Sequence, residues 1–127
     1  SEAELIAELQ AAHVVVVPTI QDEIGQFVAM EAMSSGCAVV ASNIGAFPEH
    51  IGNSGLLFPP GDAEALAEAL ARVGTEEGLI AALSARGREK VLREFDWRVM
   101  GRRYVDLYER VLSRRCTPNP QGELTAP

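Results

Sequence analysis

Apolar positions along the chain first fall into short continuous runs broken by Gly, Pro and acidic residues, and later into longer stretches at helical spacing. His13 leads into Val14, Val15, Val16 and Val17, a β-branched run that predicts a strand covered on both faces of a parallel sheet. Pro18 ends it, because a proline cannot donate to the ladder. The runs at 37–41 and 56–58 predict two more strands. Ahead of the first strand, Ser1 and Glu4 have capping-box spacing and predict a helix over 2–12. Residues 27–33 read as a helix that stops at Gly36, apolar around most of its circumference and so expected to be buried on several sides. A further helix is expected over 62–73, and Thr75 and Asp96 are the expected N-caps of two more. The last of these places Trp97, Met100, Tyr104, Leu107, Tyr108, Val111 and Leu112 at helical spacing, a stripe that suits core or interdomain packing better than a ligand site.

Strands alternating with helices give an α/β fold, and continuous apolar strands give a parallel sheet of the doubly wound, Rossmann-like kind. With three strands this sheet is partial. Such a sheet places its ligand at the carboxyl ends of the strands, near the switch point between its halves. The edge of the strand at 13–17 is then unpaired where the other half belongs, a liability that native proteins cover.

Those carboxyl ends carry the most informative segment, DEIGQFVAMEAM at 22–33. Glu23 lies before the helix N-terminus and Glu31 about one turn inside it. The first-turn amides between them lack intrahelical partners and carry the positive end of the helix dipole, which makes a seat for a phosphate. Gly25 lets the backbone approach a ligand closely, and a carboxylate on either side can accept hydrogen bonds from hydroxyls. The competing reading puts Glu31 on a solvated stripe with Ser34 and Ser35, and makes Glu23, like Asp22, a solvated loop acid.

The spacing of Glu23 and Glu31, followed by AMSSGCAVVAS at 32–42, GAFPE at 45–49 and GLLFPPGD at 55–62, resembles the donor-binding half of retaining glycosyltransferases of the GT-B fold, family 4. The resemblance runs over about 1–112, and its strength lies in four motifs in the right order. It implies the second half of a GT-B C-terminal domain over 1–113, followed by a polar, Pro-rich tail at 114–127 expected to be flexible. It further implies a nucleotide-diphosphate sugar as donor substrate, with no cofactor and no metal. By position, Glu23 is the catalytic-site contact to the donor sugar, the amides of Ile24, Gly25, Gln26, Phe27 and Val28 hold the diphosphate, and Glu31 binds the ribose. The family usually has Gly-Phe-Gly after the first glutamate. Here Ile24, Gly25 and Gln26 stand there, narrowing the approach to the sugar and adding an amide that can hydrogen-bond to it. Ala46 likewise replaces the second of two glycines.

Charge changes this picture. The net charge is -7, yet residues 1–71 hold ten Asp or Glu and no Lys or Arg, while residues 72–127 hold eleven Lys or Arg against eight Asp or Glu. A diphosphate at 25–28 meets helix amides but no local cation. In the family an Arg and a Lys from the first half of the same domain supply it, so the expected partners are that first half and an N-terminal acceptor domain, with self-association through the open sheet edge. Acids alternate with bases along 86–115 and the chain is acidic overall, so a solvated helix face is expected there and no nucleic-acid partner.

No stretch reaches the roughly eighteen apolar residues of a membrane span, and nothing reads as a signal peptide, so a cytoplasmic protein is expected. Cys37 and Cys116 have neither disulfide nor metal spacing and read as free thiols. His13 and His50 are isolated, and His50 beside Glu49 reads as a surface or structural residue. Two functions remain: the donor-binding part of a glycosyltransferase that transfers a hexose with retention, inactive when isolated from its other parts, or a non-catalytic Rossmann-like packing or assembly module derived from one.

Overall fold

The computed structural model describes residues 1–21 and 27–115, apart from the side chains of 114 and 115. The order is α1 (Glu2–Ala11), β1 (Val14–Val17), α2 (Phe27–Ser35), β2 (Ala38–Ser42), α3 (Phe47–Ile51), a 3₁₀ turn (Gly52–Ser54), β3 (Leu56–Phe58), α4 (Ala63–Thr75), α5 (Leu79–Glu94) and α6 (Trp97–Arg115). Two compact units divide the chain, Ser1–Leu92 and Arg93–Pro127.

The first unit is built on a parallel sheet in the order β1-β2-β3. Val14 pairs with Ala38 and Val17 with Ala41, while Val40 pairs with Leu56 and Ser42 with Phe58. All five residues of β2 are buried, as expected of a central strand covered on both faces. β1 corrects the sequence reading: its valines are half-buried, and Val16 is exposed. A continuous β-branched run reports burial potential, but β1 lies at the sheet edge, where one neighbour and part of one face are missing.

Alternation along the strands directs side chains into two cores. On one face Val39 and Ala41 pack with Leu9, Ala29, Met33, Phe47 and Ile51. On the other, Val40 and Phe58 pack with Ala69 and Val73 of α4. α5 contributes to both, because Leu79 and Ile80 join the α4 side while Val91 joins the α2 side.

Local chemistry sets the helix ends. The Ser1 hydroxyl accepts from the Glu4 amide at 3.4 Å and the Glu4 carboxylate accepts from the chain's N-terminal ammonium, completing the capping box. Asp62 Oδ1 accepts from the Ala65 amide at 2.9 Å and starts α4. Gly36, at φ 89°, takes the left-handed conformation that ends α2. Thr75 does not cap α5. It is the last residue of α4, where its hydroxyl donates to the Ala71 carbonyl at 2.8 Å, a back-bond open to threonine inside a helix as well as at its start.

In the second unit Asp96 caps α6 as expected, its Oδ1 accepting from the Arg98 amide at 2.8 Å. The aromatic stripe is not buried: Trp97 is 72% and Tyr108 65% exposed, and Tyr104, Leu107, Val111 and Leu112 are exposed too. Helical spacing creates an apolar face, but only a packed partner removes it from water. Residues 116–127, with Cys116, lie outside the described residues. No helix among the described residues is long and apolar enough to cross a membrane.

Candidate functional site

The connection from β1 into α2 leaves the sheet at its carboxyl edge. Asp22, Glu23, Ile24, Gly25 and Gln26 lie outside the described residues, so the sites assigned to four of them rest on sequence. Phe27, Val28 and Glu31 are described. Phe27 is the first residue of α2 and 64% exposed, and Val28 is also exposed. The reading that α2 is buried on several sides is therefore corrected. Only Ala29, Ala32 and Met33 are buried, and they form a single stripe against the core. Apolar side chains around the whole circumference conceal which side the fold covers.

Glu31 is exposed, and its carboxylate has no hydrogen-bond or ion-pair partner among the described residues. It stands four residues after Phe27, on the same side of the helix and about 6 Å further along the axis. The open face of α2 thus presents, in order, first-turn amides at the positive end of the dipole, two uncovered apolar side chains and an available carboxylate. This is a surface able to receive an anion at one end and hydroxyls at the other.

Two other features lie at the carboxyl ends of the strands. Ser42, the last residue of β2, is fully buried with no partner for its hydroxyl among the described residues. A pocket of about 170 Å³ opens between Pro18, Ile20, Phe58 and Leu66, beside Asp62. Its walls are apolar, and no residue assigned a site role lines it. His50 is half-buried on α3. No three His, Cys, Asp or Glu side chains among the described residues converge as metal ligands do.

Sequence reasoning missed the contacts by which α5 holds α2 and α3. Arg88 Nη1 donates to the Ser34 carbonyl at 2.6 Å, and Lys90 Nζ donates to the Glu49 carbonyl at 3.0 Å. Partners 54 and 41 residues away leave no local pattern. Gly87 was the available signal: a glycine inside a helix costs stability unless something packs closely against it. Here a Cβ at 87 would lie 3.2 Å from Met33 Cγ.

With this geometry in hand, residues 2–76 match the model of the family described as Glycosyl transferases group 1. The chain belongs to the group 1 glycosyltransferases. Similar proteins include the D-inositol 3-phosphate glycosyltransferase of Saccharomonospora viridis, 38% identical over 112 residues that take in 87% of this chain and 26% of that protein. The phosphatidyl-myo-inositol mannosyltransferase of Mycolicibacterium smegmatis is 35% identical over 112 residues, 87% of this chain and 29% of that protein. Among solved structures, a sucrose-phosphate synthase from Thermosynechococcus elongatus superposes with a TM-score of 0.76 at 34% identity, covering 87% of this chain and 28% of its own. This group 1 chain thus has the α/β fold expected for the second half of a GT-B C-terminal domain, and it spans less than a third of the length of these relatives.

Proposed function

We propose that the chain is the nucleotide-sugar-binding part of a glycosyltransferase that passes a hexose to an acceptor with retention of configuration. The observation that carries this reading is the exposed face of α2 in a group 1 chain: the exposed Phe27 and Val28 of its first turn, followed one turn on by a Glu31 carboxylate with no partner among the described residues. Glu31 accepts hydrogen bonds from the ribose hydroxyls. The amides of Ile24, Gly25, Gln26, Phe27 and Val28 hold the diphosphate, where they stabilise the charge that grows as the sugar leaves. Glu23 contacts the reacting sugar. No metal is required, because the cations that the first 71 residues lack come from the first half of the donor domain. The acceptor comes from a further domain.

The test is calorimetry with UDP, ADP and GDP beside a transfer assay, on the chain with the first half of the domain and the acceptor domain supplied, in cis or in trans. Glu31→Gln keeps the size and removes the charge. It is expected to weaken binding of the preferred nucleotide by about one to two decades, the worth of hydrogen bonds to a charged group. Glu23→Gln is expected to lower the transfer rate from the matching nucleotide sugar more than its affinity. If both variants bind and transfer as the parent does, the donor site is elsewhere and the packing module becomes the better account.

A further inference from the structure

Two cations of α5, Arg88 and Lys90, reach the acidic half of the chain. The closing residues of the first unit's α5 stretch lie against two segments that follow carboxyl ends of strands. Gly87 admits Met33 of α2, Arg88 donates to the Ser34 carbonyl, and Lys90 donates to the Glu49 carbonyl on α3. Ser34 in turn donates through its hydroxyl to the Glu31 carbonyl at 2.9 Å, so the Arg88 tether is one helical turn from the carboxylate assigned to ribose. α2 has only nine residues, and its buried stripe consists of two alanines and a methionine. That stripe is fully buried, but short alanine side chains and an adaptable thioether give it few directional contacts of its own. A charge-assisted hydrogen bond at the last turn of the helix is directional, and a cation there also complements the negative end of the helix dipole.

We propose that Arg88 is a positioning residue for the donor site: it fixes the rotation and axial placement of α2, and through them the direction in which Glu31 and the first-turn amides face the nucleotide. This rests on the donor-site reading above. Binding groups must be held within a fraction of an ångström by neighbours that are themselves fixed. The Gly87 contact brings α5 close enough for Arg88 to reach, and Lys90 holds α3 from the same helix.

The experiment compares Arg88→Gln, Arg88→Lys and Glu31→Gln with the parent, again with the first half of the domain supplied. Arg86→Gln is the control, since Arg86 donates within its own helix to the Ala82 carbonyl at 3.2 Å. Affinities for UDP, ADP and GDP are measured well below every variant's melting temperature. Arg88→Gln is expected to weaken the preferred nucleotide about three- to tenfold, Arg88→Lys to restore most of the loss because its ammonium still donates, and Arg86→Gln to change nothing. A lower melting temperature for Arg88→Gln with unchanged affinity would mean a purely structural tether and would overturn the proposal. Weakening by Glu31→Gln without weakening by Arg88→Gln sinks the positioning role and leaves the donor site standing. No nucleotide binding by the parent, or no effect of Glu31→Gln, removes both.

Discussion

The Cys37 thiol donates to the Leu9 carbonyl across 2.9 Å, tying the residue before β2 to the end of α1 in the buried core. Burial pushes the thiol's pKa up. The folded chain therefore keeps its proton over a range where the unfolded chain loses it. The resulting stability is complete below the ordinary thiol pKa of about 8.5 and is lost as pH rises from there through the folded value. Urea midpoints are expected to fall on going from about pH 8 to pH 10, with a shallower fall in Cys37→Ala. Equal slopes in the two proteins would assign the alkaline loss to other groups.

Glycine substitutions should separate two kinds of site. A Cβ on Gly55 would lie 2.6 Å from the Val39 carbonyl oxygen and 2.6 Å from Ile51 Cγ2, so Gly55→Ala must displace the backbone of the central strand. Its expected cost is about 1–3 kcal/mol or more. Gly74 in α4 has nothing within 4 Å of the same position, and Gly74→Ala is expected to stabilise by about 0.5–1 kcal/mol. Thermal unfolding of the two variants checks both signs.

The open edge of β1 is expected to drive self-association of the chain on its own, because its backbone groups and the exposed Val16 lack a neighbour among the described residues. Val16→Lys should reduce the effect by placing a charge on the exposed flank. Light scattering over a dilution series reads both. A parent chain that stays monomeric at high concentration would show that the edge is protected.

Sugar transfer should be absent from the isolated chain, since acceptor groups and diphosphate cations have no counterpart in residues 1–71. Incubation with UDP-glucose, ADP-glucose and GDP-mannose, followed for free nucleotide and free sugar, tests this. Sustained turnover would show that the chain supplies a complete active site.

Elements whose cause is local were legible in the sequence: the Ser1 and Glu4 box, Asp62 as a cap, Gly36 as a stop and three apolar strands. Burial was less so, because it depends on what lies opposite. The valines of β1 and the aromatics of α6 carry the composition of covered residues, yet Val16 and Trp97 are exposed. Paired glutamates stand out in one dimension, and Glu31 proved to lie on the open face of its helix, as its spacing from Ser34 and Ser35 also allowed. Arg88 could not be found that way. Its meaning comes from a carbonyl 54 residues distant, and only the glycine before it hinted at a close approach.

Strand order in the sheet follows chain order, β1 then β2 then β3. Every crossover inside this block is therefore closed within one continuous stretch of polypeptide, and dividing the sheet beside β1 cuts no loop belonging to the block. Such a block is one continuous segment of polypeptide. What it asks of a new neighbour is a strand able to pair with a row of main-chain amides and carbonyls, which carry no side-chain identity. A cut at that seam would keep α2 and its Arg88 tether on one piece of chain.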